Sequence, residues 1–295
     1  MNVRNSLTVI LPVLDADACR VELERQRPAL EHGWAKVPGL SSACLALLPA
    51  AAGPERAVPA LFLECSFETE FADLMFVWFM ACGDELSAVL SHCAEYPESA
   101  DARRFAEYLG SRARRSSTLG SRSALNGEFA LGRTGWRVLD AVSLRGAAPD
   151  ALPSEDEREA RRLGVGMQEP IPGVPLVHVA WLAPGRRPQL LRALRELEHQ
   201  PSAVEYDPRF LLDGRRLVFV AYPNEGAARW SERLSQVALA ACTRVWRNCR
   251  GFSGGFGVQR ARRARRVQEF VLEHRIPVAA WFNARVPFRG DEREN

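Results

Sequence analysis

The chain has 295 residues, of which 47% are hydrophobic and 25% are charged, a composition typical of globular proteins with buried cores. This composition excludes long disordered, coiled-coil and fibrous proteins. At roughly 150 residues per domain, the length predicts two domains. All basic residues except Lys36 are arginine, but the net charge is only +3, so we do not expect nucleic acid as a partner.

The sequence contains neither the pattern of a signal peptide nor that of a membrane-spanning helix. Residues 1–10 lack the basic and apolar regions of a secretory signal peptide. No run of about 18 apolar residues is available to span a membrane. We therefore expect a cytoplasmic protein without a membrane span.

The seven cysteines and five histidines form none of the common metal or redox motifs, such as CxxC or HExxH. We therefore expect no metal site. An odd number of cysteines in a cytoplasmic protein indicates buried thiols. We also expect Cys93 and Cys249, which follow the two long helices, to be buried as small hydrophobic side chains.

The first half of the chain predicts a strand and helix, then two strands and two further helices. A short apolar run is followed by Asp15, a plausible N-cap residue, and a charged amphipathic stretch. The long apolar segment that comes later contains Asp73, Asp84 and Glu85, which argues against a membrane span. The predicted elements are strand 7–13, helix 17–30, strands 42–48 and 60–66, helix 70–92 and the polar helix 102–115.

The second half predicts the same order of elements. They are strand 176–182, helix 187–199, strands 203–211 and 217–222, long helix 226–250, polar helix 261–274 and strand 278–282. The dipeptide Asp213-Gly214 is a strong hairpin signal between the two middle strands. The domains expected are a first repeat, 1–145, a Pro- and Gly-rich linker, 146–174, and a second repeat, 175–295.

An ungapped alignment that places Leu61 on Leu217 also places Cys93 on Cys249, at the ends of the long helices. A second, shifted register places Arg103 on Arg265 in the polar helices. Few residues are identical, so the argument depends on the shared order of elements. We interpret the chain as a tandem duplication.

This order resembles the ferredoxin-like unit of the dimeric α/β-barrel superfamily. The resemblance implies an α+β fold in which two ferredoxin-like repeats with antiparallel sheets form a pseudo-dimeric α/β barrel, with the helices outside. The superfamily includes chlorite dismutases, dye-decolourising peroxidases, haem-degrading enzymes and cofactor-free monooxygenases, as well as proteins without known activity. Fold analogy alone does not assign chemistry.

The segment from Ser91 to Pro97, Ser-His-Cys-Ala-Glu-Tyr-Pro, resembles a motif of uncharacterised bacterial proteins. In that group the motif accompanies a strand with His-Phe-Ala-Arg and a strand that ends in Asn-Tyr-Asp-Gly. Here the corresponding strands carry Ser-Ser-Ala-Cys at 41–44 and end in Ser-Phe-Glu-Thr at 66–69. Loss of the histidine and arginine favours a relative without catalysis. The GxxDG haem motif of the dye-decolourising peroxidases is absent as well.

Two histidines are candidate cofactor ligands, each with a structural alternative. His92 ends the first long helix, where it could bind haem or act as a base in the barrel lumen, or could cap helix carbonyls. His178 lies in the middle of a predicted strand, on the face opposite its neighbours. It could line the cavity or be a hydrogen-bonded core histidine.

Two further patterns are candidate contact surfaces. An arginine cluster could contact an anionic ligand or acidic partner, or could be a solvated and ion-paired face; it comprises Arg260, Arg262, Arg263, Arg265 and Arg266. The apolar run 75–80 exceeds what one helix face can bury against one sheet. Its excess indicates contact with the other repeat, a second subunit or a hydrophobic ligand, and the interface residues predicted are Met75, Phe76, Trp78 and Phe79.

Two classes of function remain open from the sequence. The first is a non-catalytic binding or assembly protein that associates through its apolar helix and arginine-rich faces. The alternative is a barrel enzyme or carrier of the oxidoreductase type that binds haem or a hydrophobic small molecule. The missing histidine and arginine favour the first class.

Overall fold

The computed structural model describes residues 5–50, 57–114, 117–118, 128–131, 134–137, 175–198, 209–222, 236–252 and 260–284. Within these ranges the chain is mixed α+β, with two large antiparallel sheets, a two-stranded hairpin and six helices. The predicted linker, 146–174, lies outside the described residues. None of the helices in the described ranges is both long and apolar enough to cross a bilayer.

The N-terminal half, 5–118, follows the predicted order. Asp15 caps the first helix, because its side chain accepts the backbone N–H groups of Asp17 and Ala18 at 3.1 and 3.0 Å. The elements are β1 (Asn5–Pro12), α1 (Ala16–Ala35), β2 (Leu40–Leu48), β3 (Ala60–Phe67), α2 (Phe71–Leu90), α3 (Ala102–Ser111) and the short β4 (Ser117–Thr118). A hairpin of β5 (Glu128–Leu131) and β6 (Thr134–Arg137) lies near α2 and α3.

The C-terminal half, 175–284, has the same order of elements. They are β7 (Leu176–Trp181), α4 (Arg187–Glu198), β8 (Arg209–Asp213), β9 (Arg216–Ala221), α5 (Gln236–Trp246), α6 (Arg260–Glu273), β10 (Arg275–Ile276) and β11 (Ala280–Asn283). Of the predicted strand 203–211 and helix 226–250, residues 203–208 and 226–235 lie outside the described residues.

Each sheet contains a strand from the other half of the chain. Sheet 1 has the order β1-β3-β2-β11, and sheet 2 has the order β10-β7-β9-β8-β4. The last strand, β11, pairs with β2 of the N-terminal half, with Ala280 opposite Leu45. Conversely, β4 pairs with β8 of the C-terminal half, with Ser117 opposite Phe210. The two sheets are therefore built reciprocally.

The exchanged strands leave one sheet and enter the other at two corners. Ala113 first bridges to Val9 of sheet 1, and a few residues later β4 joins sheet 2. Likewise Arg275 pairs with His178 of sheet 2 before β11 joins sheet 1. Among the described residues no strand pairing joins sheet 1 to sheet 2. The predicted closed barrel is therefore not observed in this part of the chain.

Three hydrophobic clusters hold the layers together. One lies between sheet 1 and α1–α3, with Trp34 and Trp78 at its centre, and one lies between sheet 2 and α4–α6, around Trp246. The third lies between the two sheets and includes Phe62 and Val218. Because successive strand residues point to opposite faces, each sheet buries one face against helices and the other against its partner sheet.

The two halves are related by equivalent hydrogen bonds. After α2, the Ala94 N–H donates to the carbonyl of Pro12 at 2.8 Å, and after α5 the Arg250 N–H donates to Trp181 at the same distance. Ala94 and Arg250 are equivalent in the ungapped alignment of the sequence. The same backbone hydrogen bond thus follows the long helix in each half.

Candidate functional site

A group of polar side chains lies between the two sheets, in an otherwise apolar interior. Glu64 and Ser66 belong to β3, in which Leu63 and Cys65 face the helices. Strand alternation therefore directs Glu64 and Ser66 toward sheet 2. We call these two residues, together with Cys44 of β2, Arg209 of β8 and Tyr222 after β9, the inter-sheet cluster.

The contacts of the inter-sheet cluster join the two halves of the chain. Arg209 forms an ion pair with Glu64 and donates a hydrogen bond to Ser66 Oγ at 2.5 Å. The Tyr222 hydroxyl donates to the second carboxylate oxygen of Glu64. Glu64 is fully buried and Arg209 is 7% exposed, so the two charges are neutralised within the protein.

The remaining members of the cluster are uncharged near neutral pH. Burial and the neighbouring Cys44 raise the pKa of Tyr222 well above its ordinary value. Burial raises the pKa of the Cys44 thiol to about 12. Tyr222 therefore acts as a hydrogen-bond donor, and Cys44 is not an activated nucleophile.

Arg216 makes a second contact between the halves, at the opposite end of β9 from Tyr222. It is 4% exposed, and its Nη1 donates to the carbonyls of Pro49 and Val58 at 3.3 and 3.2 Å. Its Nη2 pairs with Asp213 at 2.5 Å across the β8–β9 hairpin. Arginines of the C-terminal half thus contact the N-terminal half at both ends of β9.

His178 lies on the helix-facing side of sheet 2, away from the inter-sheet cluster. Its ring contacts those of Trp246, Phe270 and His274, and Nδ1 lies 3.3 Å from the carbonyl oxygen of Val271. Burial, and secondarily His274, lower the pKa of His178 to about 3, so the ring is neutral.

His92 lies in the turn after α2 and is partly buried. Its backbone carbonyl accepts the N–H of Leu14 at 2.9 Å. It belongs to the N-terminal half, whereas His178 packs against α5 and α6 of the C-terminal half. The structure therefore does not bring the two predicted cofactor ligands together.

The predicted apolar interface divides into buried and exposed residues. Met75 and Trp78 are buried beneath α2, and Phe79 is partly buried against the same core. Phe76 is 58% exposed, and Met80, one turn later, is 70% exposed. The exposed Asp73 precedes these two by one turn, and the exposed Asp84 follows them beyond a kink of α2 at Cys82. We call Asp73, Phe76, Met80 and Asp84 the α2 stripe.

The predicted arginine cluster is only partly described. Arg265 and Arg266 are exposed on α6, and Arg265 pairs with Glu269 at 2.8 Å. The equivalent pair on α3, Arg103 and Glu107, has the same geometry at 2.9 Å. The side chains of Arg260, Arg262 and Arg263 lie outside the described residues.

The cysteines are buried free thiols, as their number predicts. Within the described ranges, no group of three or more histidine, cysteine or acidic side chains is placed to hold a metal ion. No protein-family model, curated protein or solved structure matches the chain. The site is therefore interpreted from its own geometry.

The sequence prediction did not include Glu64, Arg209 or Tyr222. A signal was present, because Glu64 interrupts the apolar run of β3 at a position that alternation places on the same face as Phe62. A charged residue on a buried strand face requires a partner. That partner, Arg209, lies far along the chain, so only the folded structure identifies it.

Proposed function

We propose that the chain forms a single-chain, pseudo-dimeric α/β barrel of two ferredoxin-like units with the helices outside. Strand β4 of the N-terminal half pairs in sheet 2, and strand β11 of the C-terminal half pairs in sheet 1. These two strands support the arrangement, because each connects its own half of the chain to the edge of the sheet formed by the other half. We further propose that the barrel is a scaffold and that the protein acts in binding or assembly.

The packing of the interior favours this function over catalysis in the lumen. Inner-face side chains such as Phe62 and Val218 are buried against one another, and Glu64, Arg209 and Tyr222 satisfy one another. A haem-sized ligand would have to displace this core. His178, the proposed ligand of the second sheet, lies on the face toward the helices.

The exposed Phe76 and Met80 of the α2 stripe are the observation that carries the proposal. In the ungapped alignment, the C-terminal half has Glu232 and Gln236 at the equivalent positions. At these positions of the sequence the C-terminal half has polar residues, whereas the N-terminal half has two large apolar residues. Exposed apolar side chains at adjacent turns are typical of a contact surface.

Charge identifies the kind of partner that the α2 stripe fits. Acidic residues precede and follow the exposed apolar pair, so a second copy of this stripe would add like charge to the contact. A cationic partner would instead be attracted at both ends. We therefore propose an amphipathic partner segment with apolar side chains flanked by arginine or lysine. On α6, by contrast, Arg265 is already paired with Glu269.

Two synthetic helical peptides test this proposal. Both carry leucines at positions i and i+4, flanked by arginine in one peptide and by aspartate in the other. We expect the arginine peptide to bind at least roughly tenfold more tightly in fluorescence anisotropy at low salt, because its charges complement Asp73 and Asp84.

The variant Phe76→Glu/Met80→Gln, which introduces the residues of the equivalent positions, should lose this binding but keep the unfolding midpoint of the parent. The matched variant Asp73→Asn/Asp84→Asn should bind both peptides alike. Equal binding of the two peptides to the parent protein, or binding that survives Phe76→Glu/Met80→Gln, would contradict the proposal.

The alternative function is an enzyme or carrier that binds haem or a hydrophobic small molecule, with His178 and His92 as the candidate ligands. Its test is a titration with haemin, followed by the visible spectrum of the parent, His178→Ala and His92→Ala. A Soret shift that one substitution abolishes would support this alternative. An unchanged spectrum would leave the scaffold function as the better explanation.

A further inference from the structure

We infer that the inner face of each half fits the other half and does not fit a second copy of itself, and that Glu64 and Arg209 make this selection. The partner of the N-terminal inner face is therefore a C-terminal inner face. This inference is independent of the α2 stripe and of the function proposed for it.

The hydrogen bonds that Arg209, Tyr222 and Arg216 make between the halves have one direction. Arg209 donates to Ser66, and Tyr222 donates to Glu64. Arg216 donates to two carbonyls at the ends of β2 and β3, those of Pro49 and Val58. In each of these bonds the donor belongs to the C-terminal half and the acceptor to the N-terminal half. The two inner faces are thus chemically different although their strands are equivalent.

The register of the strands identifies the residue that replaces each charge in the other half. Cys44 lies opposite Glu64 in the β2–β3 pair, and Arg209 lies opposite Val220 in the β8–β9 pair. Glu64 and Val220 are equivalent in the ungapped alignment, so Cys44 and Arg209 are equivalent as well. The acid occurs only in one half at this position, and the base occurs only in the other.

This asymmetry makes pairing between like halves unfavourable. Two N-terminal halves would each place Glu64 against the Cys44 thiol of the other, with no cation near either carboxylate. Two C-terminal halves would place Arg209 against Val220. A buried charge without its partner strongly destabilises a protein, whereas the mixed pair neutralises both charges. Such selection matters because the edges that accept β4 and β11 are equally present in every copy of the chain.

Charge reversal in the full-length chain tests the selection. The variants Glu64→Arg and Arg209→Glu each place two like charges in the core, so each should fold poorly alone. When the two chains are co-expressed with different tags, exchange of halves pairs opposite charges at both positions. We expect a one-to-one complex of the two chains, with a soluble yield roughly tenfold above that of either variant alone.

Two controls separate this selection from general effects of charge. The double variant Glu64→Arg/Arg209→Glu restores opposite charges within one chain and should fold with its own halves paired. The same reversals at the exposed pair on α3, Arg103→Glu and Glu107→Arg, should each give folded chains that do not co-purify. Single reversals at Glu64 or Arg209 that fold like the parent would overturn the inference. So would co-expressed chains that fail to co-purify while the double variant folds.

Discussion

The Glu64–Arg209 ion pair contributes more to the choice of partner than to stability. Removing two charges from water costs free energy that their attraction often fails to recover in a protein interior. Here Ser66 and Tyr222 supply additional hydrogen bonds, which limit this cost without removing it. The main effect of the pair is therefore to disfavour any arrangement that separates the two charges.

The buried imidazole of His178 predicts a loss of stability in mild acid. Its pKa falls from the ordinary 6.5 to about 3 in the folded protein, so below pH 6.5 the unfolded chain binds a proton that the folded chain does not. The stability that depends on neutral His178 is complete above pH 6.5 and is lost as the pH falls toward 3. Urea unfolding should show this as a slope that approaches 1.4 kcal/mol per pH unit.

The substitution His178→Val provides the comparison. Val9 pairs with Leu63 and His178 pairs with Phe219, and since Leu63 and Phe219 are equivalent in the ungapped alignment, Val9 is the equivalent of His178. This variant should lack the extra slope between pH 6.5 and pH 5, whatever its stability at neutral pH. An equal slope in the parent and in His178→Val would show that His178 is not the group responsible.

At the scale of elements, α1 and α2 are in close contact at Gly33. A Cβ atom on Gly33 would lie 2.6 Å from Cys82 Cβ and 3.0 Å from the carbonyl oxygen of Ala81. Alanine normally stabilises a helix relative to glycine by about 1 kcal/mol. Overpacking in a core costs about 1–3 kcal/mol, and the gain in helix propensity offsets about 1 kcal/mol of this cost, so we expect Gly33→Ala to lower the free energy of unfolding by up to about 2 kcal/mol.

Thermal unfolding by circular dichroism measures this effect. The matched control is Glu24→Ala, an exposed position on the same helix, where the change should stay within about 0.5 kcal/mol. A higher melting temperature for Gly33→Ala than for the parent would mean that helix propensity outweighs the contact with Cys82, contrary to the packing described above.

Sequence patterns predict the long elements well because each has its own run of apolar residues, and α1 and α3 also have side-chain caps. Strand β3 differs from its predicted bounds by one residue, and α1 begins behind the predicted cap, Asp15. The exchange of β4 and β11 was not predictable in this way. Strands of two to four residues have no measurable period, and their sheet is decided by contacts distant in sequence.

The candidate site is also difficult to predict from the sequence, because its residues meet only through contacts between distant parts of the chain. Histidine is a common cofactor ligand and catalytic base, so the sequence makes His178 and His92 candidates. The fold instead places His178 among aromatic rings and His92 in a turn. The cluster that joins the halves consists of residues that are ordinary in isolation. Only the pairing of β3 with β2 and the stacking of the two sheets bring Glu64 to Arg209.

At the scale of the whole molecule, the exchanged strands make each sheet depend on both halves. We predict that ending the chain after Ala279, which removes β11, exposes the edge of β2 and abolishes cooperative unfolding of the N-terminal half. Circular dichroism and size-exclusion chromatography should reveal lost strand structure and aggregation.

Ending the chain after Ala284 is the matched control, since it leaves β11 intact. This shorter chain should unfold like the parent protein. If the chain that lacks β11 also remained monomeric and unfolded cooperatively, sheet 1 would be stable without its strand from the C-terminal half.

The exchanged strand β11 has a further consequence during synthesis on the ribosome. The β2 edge is made first, and the strand that covers it, β11, is made only after the long segment of chain between them. At typical rates of translation, the interval between the two is on the order of ten seconds or more. Throughout that time the nascent chain displays an open edge to its neighbours on the same messenger RNA, so premature termination would release a product with that edge permanently uncovered.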